Sequence, residues 1–223
     1  MMRRLELRRT GRDYAMKLYD EKMPAPNPRR VRIFLAEKGM SVPLERIALA
    51  SGAHKSPEFK QKNSLGQIPV LELDDGSTIS ETVSICRYFE ALHPTPPLFG
   101  TTPREIGVID MWIRRIELQI SAHLSQVWIN THPYTEAYAA KMGITRYPDF
   151  GEESRRRLID RLGWLDGEIA GRDHIAGDEF SMADITALSI IDFAIFIGVP
   201  IPDTAANLQA WHARVSARPS AAA

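Results

Sequence analysis

Short apolar runs alternate with helix-spaced apolar stripes over the first part of the chain. Residues 16–19 read as a compact strand. After a proline-spaced turn at Pro24, Pro26 and Pro28, the residues Val31, Phe34 and Leu35 share one face of a helix that Gly39 is placed to end. Residues 42–49 mix apolar and charged positions as a half-buried strand does, 56–62 read as a short helix, and 68–73 as a third strand. Asp74, Asp75 and Gly76 predict a tight turn into Thr78 and Ile79. Ser80 is expected to open a helix that turns Val83, Cys86 and Phe89 inward. The predicted order is therefore βαβαββα.

Past His93 the texture changes. Pro94, Pro96, Pro97 and Pro103 mark 94–103 as a linker between two domains. Apolar residues at 106, 109, 113, 116, 120, 124 and 127 then recur at three- and four-residue steps, which predicts a long amphipathic helix of roughly seven turns. Three more helices are expected near 152–169, 182–196 and 207–218, so the second half reads as an all-helical domain without strands. Ser181 to Asp184 has the spacing of a capping box, with Phe180 and Ile185 placed as its hydrophobic staple.

Composition narrows the function classes. The 223 residues hold 28 Lys plus Arg against 28 Asp plus Glu, a balance that argues against a general nucleic-acid binder. Every long apolar stretch is broken by a charge, so no membrane span is expected. A single cysteine, Cys86, excludes an internal disulfide and any paired-cysteine redox or zinc motif, and a cytoplasmic setting follows as the expectation. The histidines show no metal-ligand spacing, so no metal is expected. Residues 1–15 are rich in arginine and read as a basic N-terminal extension, lacking the apolar core of a signal peptide.

Three local features then coincide: Pro26-Asn27-Pro28-Arg29-Arg30-Val31, the run Asn63 to Leu71 (NSLGQIPVL), and Ser80-Glu81-Thr82. With the segment 175–184, and Trp211 and Arg218-Pro219 near the end, the chain resembles the glutathione transferase family of the cytosolic type over about 16–219. The resemblance implies an α/β thioredoxin-like N-terminal domain (16–93), the linker 94–103, and an all-α C-terminal helical domain (104–223). It implies glutathione as co-substrate, no metal, a small electrophile as acceptor, a detoxification role and a homodimer.

Residue by residue, the resemblance puts the backbone of Ile68 against the cysteinyl part of glutathione, as one strand against another, with Pro69 cis to aim it. Glu81 and Thr82 would receive the γ-glutamyl end at a helix N-terminus, where free N–H groups and the helix dipole favour an anion. Gln67 would reach the glycyl carboxylate, helped by His54 or by the neighbouring Lys55. An ordinary helix terminus and a solvent-facing loop histidine are the plain alternatives for these positions.

The catalytic position departs from the common pattern. Between positions 20 and 40 there is no Ser, Cys or Tyr, and Ala25 stands where serine-type members carry their hydroxyl. Pro26-Asn27 resembles a bacterial asparagine-type branch in which the asparagine amide contacts the glutathione sulfur. Asn27 is thus the candidate catalytic residue, and it also reads as an N-cap followed by Pro28. Tyr19 is a weaker candidate, and Cys86, mid-helix and core-facing, reads as packing. Met111, Trp112 and Arg115 are placed to border the acceptor pocket without an assignable role. Two other functions stay open at this point: a glutathione-dependent disulfide or peroxide reductase, and a non-catalytic binding or regulatory relative.

Overall fold

A computed structural model of the chain describes residues 8–9, 12–13, 16–21 and 25–223, the first four by backbone alone. The other residues of the basic extension, and the turn at 22–24, lie outside the described residues. The chain divides into two compact units, Met1–Leu98 with Ala222–Ala223, and Phe99–Ala221. The division falls inside the proline-rich segment.

The first unit begins with a two-residue antiparallel pair, β1 (Arg8–Arg9) and β2 (Arg12–Asp13). It continues as β3 (Lys17–Asp20), α1 (Pro26–Glu37), β4 (Leu44–Arg46), α2 (Pro57–Lys62), β5 (Val70–Glu72), β6 (Thr78–Ser80) and α3 (Thr82–Leu92). The sheet order is β4-β3-β5-β6, with β3 and β4 parallel and the other pairs antiparallel. Because successive strand residues face opposite ways, Leu18 and Tyr19 enter different layers. Tyr19 packs with Phe59 of α2, Ile68 and Val70, while α1 and α3 pack on each other. This is the thioredoxin-like arrangement, and the βαβαββα order runs from β3 to α3.

Two helix starts differ from the sequence expectation. Ser80 ends β6 and does not open α3: Glu81 is the N-cap, with φ 68 and ψ 123 and no side-chain cap. A strand residue held in the ladder, with Ser80 opposite Val70, has no freedom to cap. Likewise α1 begins two residues earlier than the Asn-Pro signal suggests. Its N-cap is Ala25, Pro26 takes the first helical position, and Asn27 lies inside the first turn. The second strand is also shorter than the predicted 42–49, since its pairing with β3 spans only Leu44 to Arg46.

Gly39 ends α1 as expected, at φ 63, its N–H donating to the Ala36 carbonyl. Lys38 beside it is buried. Its ammonium pairs with Glu90 and donates to the carbonyls of His93 and Pro96, tying the end of α1 to the end of α3.

The second unit is helical: α4 (Pro103–Ile116), a π-helical turn (Glu117–Ser121), α5 (Ala122–Thr131), α6 (Tyr134–Lys141), α7 (Pro148–Glu168), α8 (Met182–Phe196) and α9 (Ala206–Ser216). The predicted long helix is thus continuous from 103 to 131 but carries a π turn, which period counting cannot reveal. Helix α6 was not predicted. Its residues bury little, so its apolar stripe is weak. Helix α8 is apolar on all sides and forms the centre of the unit, with every residue from Met182 to Ile191 buried. Its capping box forms as read: the Asp184 carboxylate, fully buried, accepts from the N–H groups of Ile175 (2.9 Å) and Ser181 (3.0 Å), the Ser181 hydroxyl (3.1 Å) and the Trp211 indole (2.9 Å). Among the described residues no helix is long and apolar enough to cross a membrane.

Candidate active site

Strand register gathers the candidate residues at one end of the sheet of the first unit. Val70 lies opposite both Tyr19 of β3 and Ser80 of β6. Beyond that pairing the chain leaves the sheet in three places together: Glu21, just after Asp20 ends β3, toward α1, Pro69 and Ile68 before β5, and Glu81 and Thr82 into α3. Asn27, Ile68, Pro69, Glu81 and Thr82 therefore share one end of the sheet.

The Ile68–Pro69 peptide is cis. Ile68 is buried, and its backbone has no hydrogen bond to any described residue. Buried backbone N–H and C=O groups are nearly always paired, so this one presents an unused donor and acceptor to an added extended segment.

Across from it, Thr82 is buried at the first position of α3, and its hydroxyl oxygen accepts from Arg30 Nη1 at 2.9 Å. The hydroxyl proton is thereby left to donate elsewhere. Arg30 itself is only 2% exposed, so its charge acts through a medium that screens poorly. Glu81 is exposed, held in a backbone region that L residues seldom adopt.

The flank is built by Asn63. Its amide nitrogen donates to the Gln67 carbonyl (2.9 Å), its side-chain oxygen accepts from the Leu65 N–H (3.2 Å), and its carbonyl accepts from the Gly66 N–H (2.7 Å). Gly66 sits at φ 56 with the His54 carbonyl where a Cβ would be, 2.5 Å away. Only glycine permits this approach. The close packing brings the turn of His54 and Lys55 beside Gln67. Gln67 is exposed, whereas His54 is 6% exposed and not solvent-facing. Burial, and to a lesser degree Lys55, pushes the His54 imidazole below its ordinary pKa. Lys55 donates to the Leu65 carbonyl at 2.9 Å and is itself lowered by burial.

Asn27 is exposed on the first turn of α1, and its amide has no hydrogen-bond partner among the described residues. It is available as a donor. Tyr19 is not: its ring is buried and its hydroxyl donates to Glu72 Oε2 at 2.7 Å, toward the far end of β5, with Lys17 and Lys62 over the ring. Cys86 is fully buried, and desolvation drives its thiol pKa far up, so it stays protonated. Trp112 is 2% exposed and Met111 points outward at 38%, so these two neighbours on α4 have opposite environments.

Sequence reading missed the charged frame of this site. Asp20 and Glu21 are both 3% exposed. Asp20 accepts from Arg32 at 2.6 Å, and Glu21 accepts from Arg46 at 2.8 Å while its carbonyl takes the Arg32 guanidinium at 3.0 Å. Burial raises the Asp20 pKa against the opposing pull of Arg32. The available signal was Arg30 and Arg32 alternating with apolar Val31 and Ile33, of which all but the half-buried Arg32 are buried.

Comparison with known proteins bears on the family and the fold. The family model "Glutathione S-transferase, N-terminal domain" matches residues 25–92 and "Glutathione S-transferase, C-terminal domain" matches 147–219. The chain is 41% identical to glutathione S-transferase 2 of Saccharomyces cerevisiae over 208 residues, 92% of this chain and 87% of that protein. Among solved structures it resembles Gtt2 from Saccharomyces cerevisiae, with a TM-score of 0.85 and 39% identity over 92% of this chain and 97% of that one. It also resembles a glutathione S-transferase of class Gtt2 of Vibrio parahaemolyticus, with a TM-score of 0.78 and 34% identity over 92% and 94%. Two family domains in order, and relatives matched over nearly the whole chain, establish that this chain belongs to the glutathione S-transferase family.

Proposed function

We propose that the chain is a glutathione transferase that binds glutathione at this end of the sheet and holds its sulfur as the thiolate for attack on a small electrophile. The observation that carries the reading is the unpartnered Ile68 backbone lying across from an open helix start. The cysteinyl backbone of glutathione pairs with Ile68 N–H and C=O as an added strand. The γ-glutamyl carboxylate sits at the N-terminus of α3, where it accepts from the Thr82 hydroxyl and lies within the field of Arg30. Glu81 receives the ammonium of the same moiety. Gln67, with His54 or Lys55 beside it, serves the glycyl carboxylate.

Asn27 is the proposed thiolate donor. An unperturbed thiol with a pKa of about 8.5 is only about 3% ionised at pH 7, and lowering that value by two units takes about 2.7 kcal/mol. One hydrogen bond to a charged partner supplies about 1.5–3 kcal/mol, and the start of α1 adds about 0.3–1. The two together suffice, with no protein hydroxyl needed at position 25. The thiolate then attacks an electrophilic carbon, forming a C–S bond as the leaving group departs or the electron pair moves onto the acceptor. The asparagine-type mechanism, a homodimer and a cytoplasmic setting belong to this proposal.

Calorimetric titration of the full chain with glutathione tests the binding reading. Wild type is expected to bind, and Thr82→Ala to bind about tenfold or more weakly, with Thr82→Ser close to wild type. A wild type without affinity would make the chain a non-catalytic relative.

A further inference from the structure

The chain holds only seven lysines, and six of them lie among the described residues. Their surroundings differ in the respect that decides amine chemistry, whether a carboxylate holds the proton. Lys17 pairs with Glu45 at 2.9 Å and Lys62 with Glu72 at 2.5 Å, and these hydrogen bonds raise the pKa of both ammonium groups. Lys38 pairs with Glu90, and its side chain is fully buried, out of reach of a reagent. Lys60 and Lys141 stand exposed on α2 and α6.

Lys55 is the exception. It has no ion pair with any described residue, and its hydrogen bond, 2.9 Å to the Leu65 carbonyl, lies at the surface. Its stem is half-buried. Lys55 Cδ stands 3.0 Å from the place a Gly66 Cβ would take, so the chain packs on the glycine turn that leads to Gln67. Burial, and then the charge of Lys60, lowers the Lys55 pKa, the opposite of the change at Lys17 and Lys62. A partly desolvated lysine beside a second cation is an activated nucleophile, because its share of free amine rises. The same two charges attract an anionic reagent.

We propose that Lys55 is an acylation site, that its donor is a small acyl phosphate, and that the resulting amide lowers affinity for glutathione at the adjoining glycyl subsite. The free amine attacks the acyl carbon and an N–C bond forms. The C–O bond to phosphorus-bound oxygen breaks, its electron pair leaves on inorganic phosphate, and the proton of the nitrogen passes to water. Amide formation removes one cation from beside Gln67. The effect on glutathione rests on the function proposed above, whereas the selectivity for Lys55 does not.

The test is incubation of the full chain with acetyl phosphate, with and without saturating glutathione, read by peptide mass spectrometry at each lysine. Lys55 is expected to acetylate about tenfold faster than Lys60 and Lys141. Glutathione is expected to slow Lys55 alone, by about fivefold or more. Lys60→Gln, which removes the neighbouring charge, should slow Lys55 by about twofold or more. In calorimetric titration the acetylated chain is expected to bind glutathione about fivefold more weakly, and the same treatment of Lys55→Arg should leave that variant at its own untreated affinity. Lys55 reacting no faster than Lys60 and Lys141 overturns the proposal, even where wild type binds glutathione. Fast acetylation of Lys55 without a change in affinity overturns its regulatory half. A wild type that binds no glutathione fails the function proposed above and with it the effect on affinity, while Lys55 is still expected to acetylate first.

Discussion

Helices α3 and α8 both begin with a short polar motif, and they use it in opposite ways. At α8 the Ser181–Asp184 box closes on itself: the carboxylate is fully buried and its lone pairs are taken by two backbone N–H groups, a hydroxyl and an indole. At α3 the N-cap is Glu81, which makes no side-chain cap, is exposed, and sits at positive φ. One helix start is satisfied by its own protein and therefore serves the fold. The other leaves donors open beside the idle backbone of Ile68, at a cost in local strain, and therefore serves a ligand. Similar motifs in sequence thus diverge according to whether the first-turn donors are used or left free.

The contrast can be broken most forcefully at Asp184. Asp184→Ala leaves the Ile175 and Ser181 amides and the Trp211 indole buried without an acceptor, and is expected to cost about 3–5 kcal/mol of unfolding free energy, read from the urea midpoint. A loss under about 1 kcal/mol would mean that the box is dispensable. Thr82→Ala should weaken glutathione by an order of magnitude and cost less stability than Asp184→Ala, since a single acceptor of the buried Arg30 guanidinium is lost. An equal loss of stability in this variant would make α3 as structural as α8.

A smaller effect sharpens the same contrast. Glu81→Gly relieves the positive φ and is expected to stabilise the fold by about 1 kcal/mol while reducing glutathione affinity. Destabilisation would show that the strained residue supports the fold. The smallest effect concerns pH. His54 is held below 6.5 by burial and then by Lys55, so below that pH the unfolded chain takes up a proton that the folded chain resists. Stability should decline as pH falls through 6.5 toward the depressed folded value, and His54→Gln should make that decline shallower. His123 and His132 are lowered as well, so part of the slope should remain. An identical pH profile for the variant would remove His54 from the account.

Much of this architecture is legible in the amino-acid order, and the reasons are local. The strands and helices of the first unit follow from period and turn chemistry, and the α8 box from the spacing of Ser181 and Asp184. What escaped detection depends on tertiary context. The start of α3 moved because Ser80 is held in the sheet by Val70, and α1 starts at Pro26 because Asn27 has helical neighbours on both sides. The π turn and the weakly amphipathic α6 leave no distinct periodic trace. Buried Arg30 is the plainest case: nothing in the composition of 26–37 announces that it will meet Thr82, fifty-two positions along the chain.

The central claim is that an open helix start and an unpartnered Asn27 amide let this protein hold glutathione as its thiolate. Ultraviolet titration of the thiolate of bound glutathione, in wild type and Asn27→Ala, tests it most directly. The account predicts a bound thiol pKa below about 8.5 in wild type, raised by about one to two units in the variant. Identical titration curves for the two proteins, or a wild-type value no lower than that of free glutathione, would contradict it.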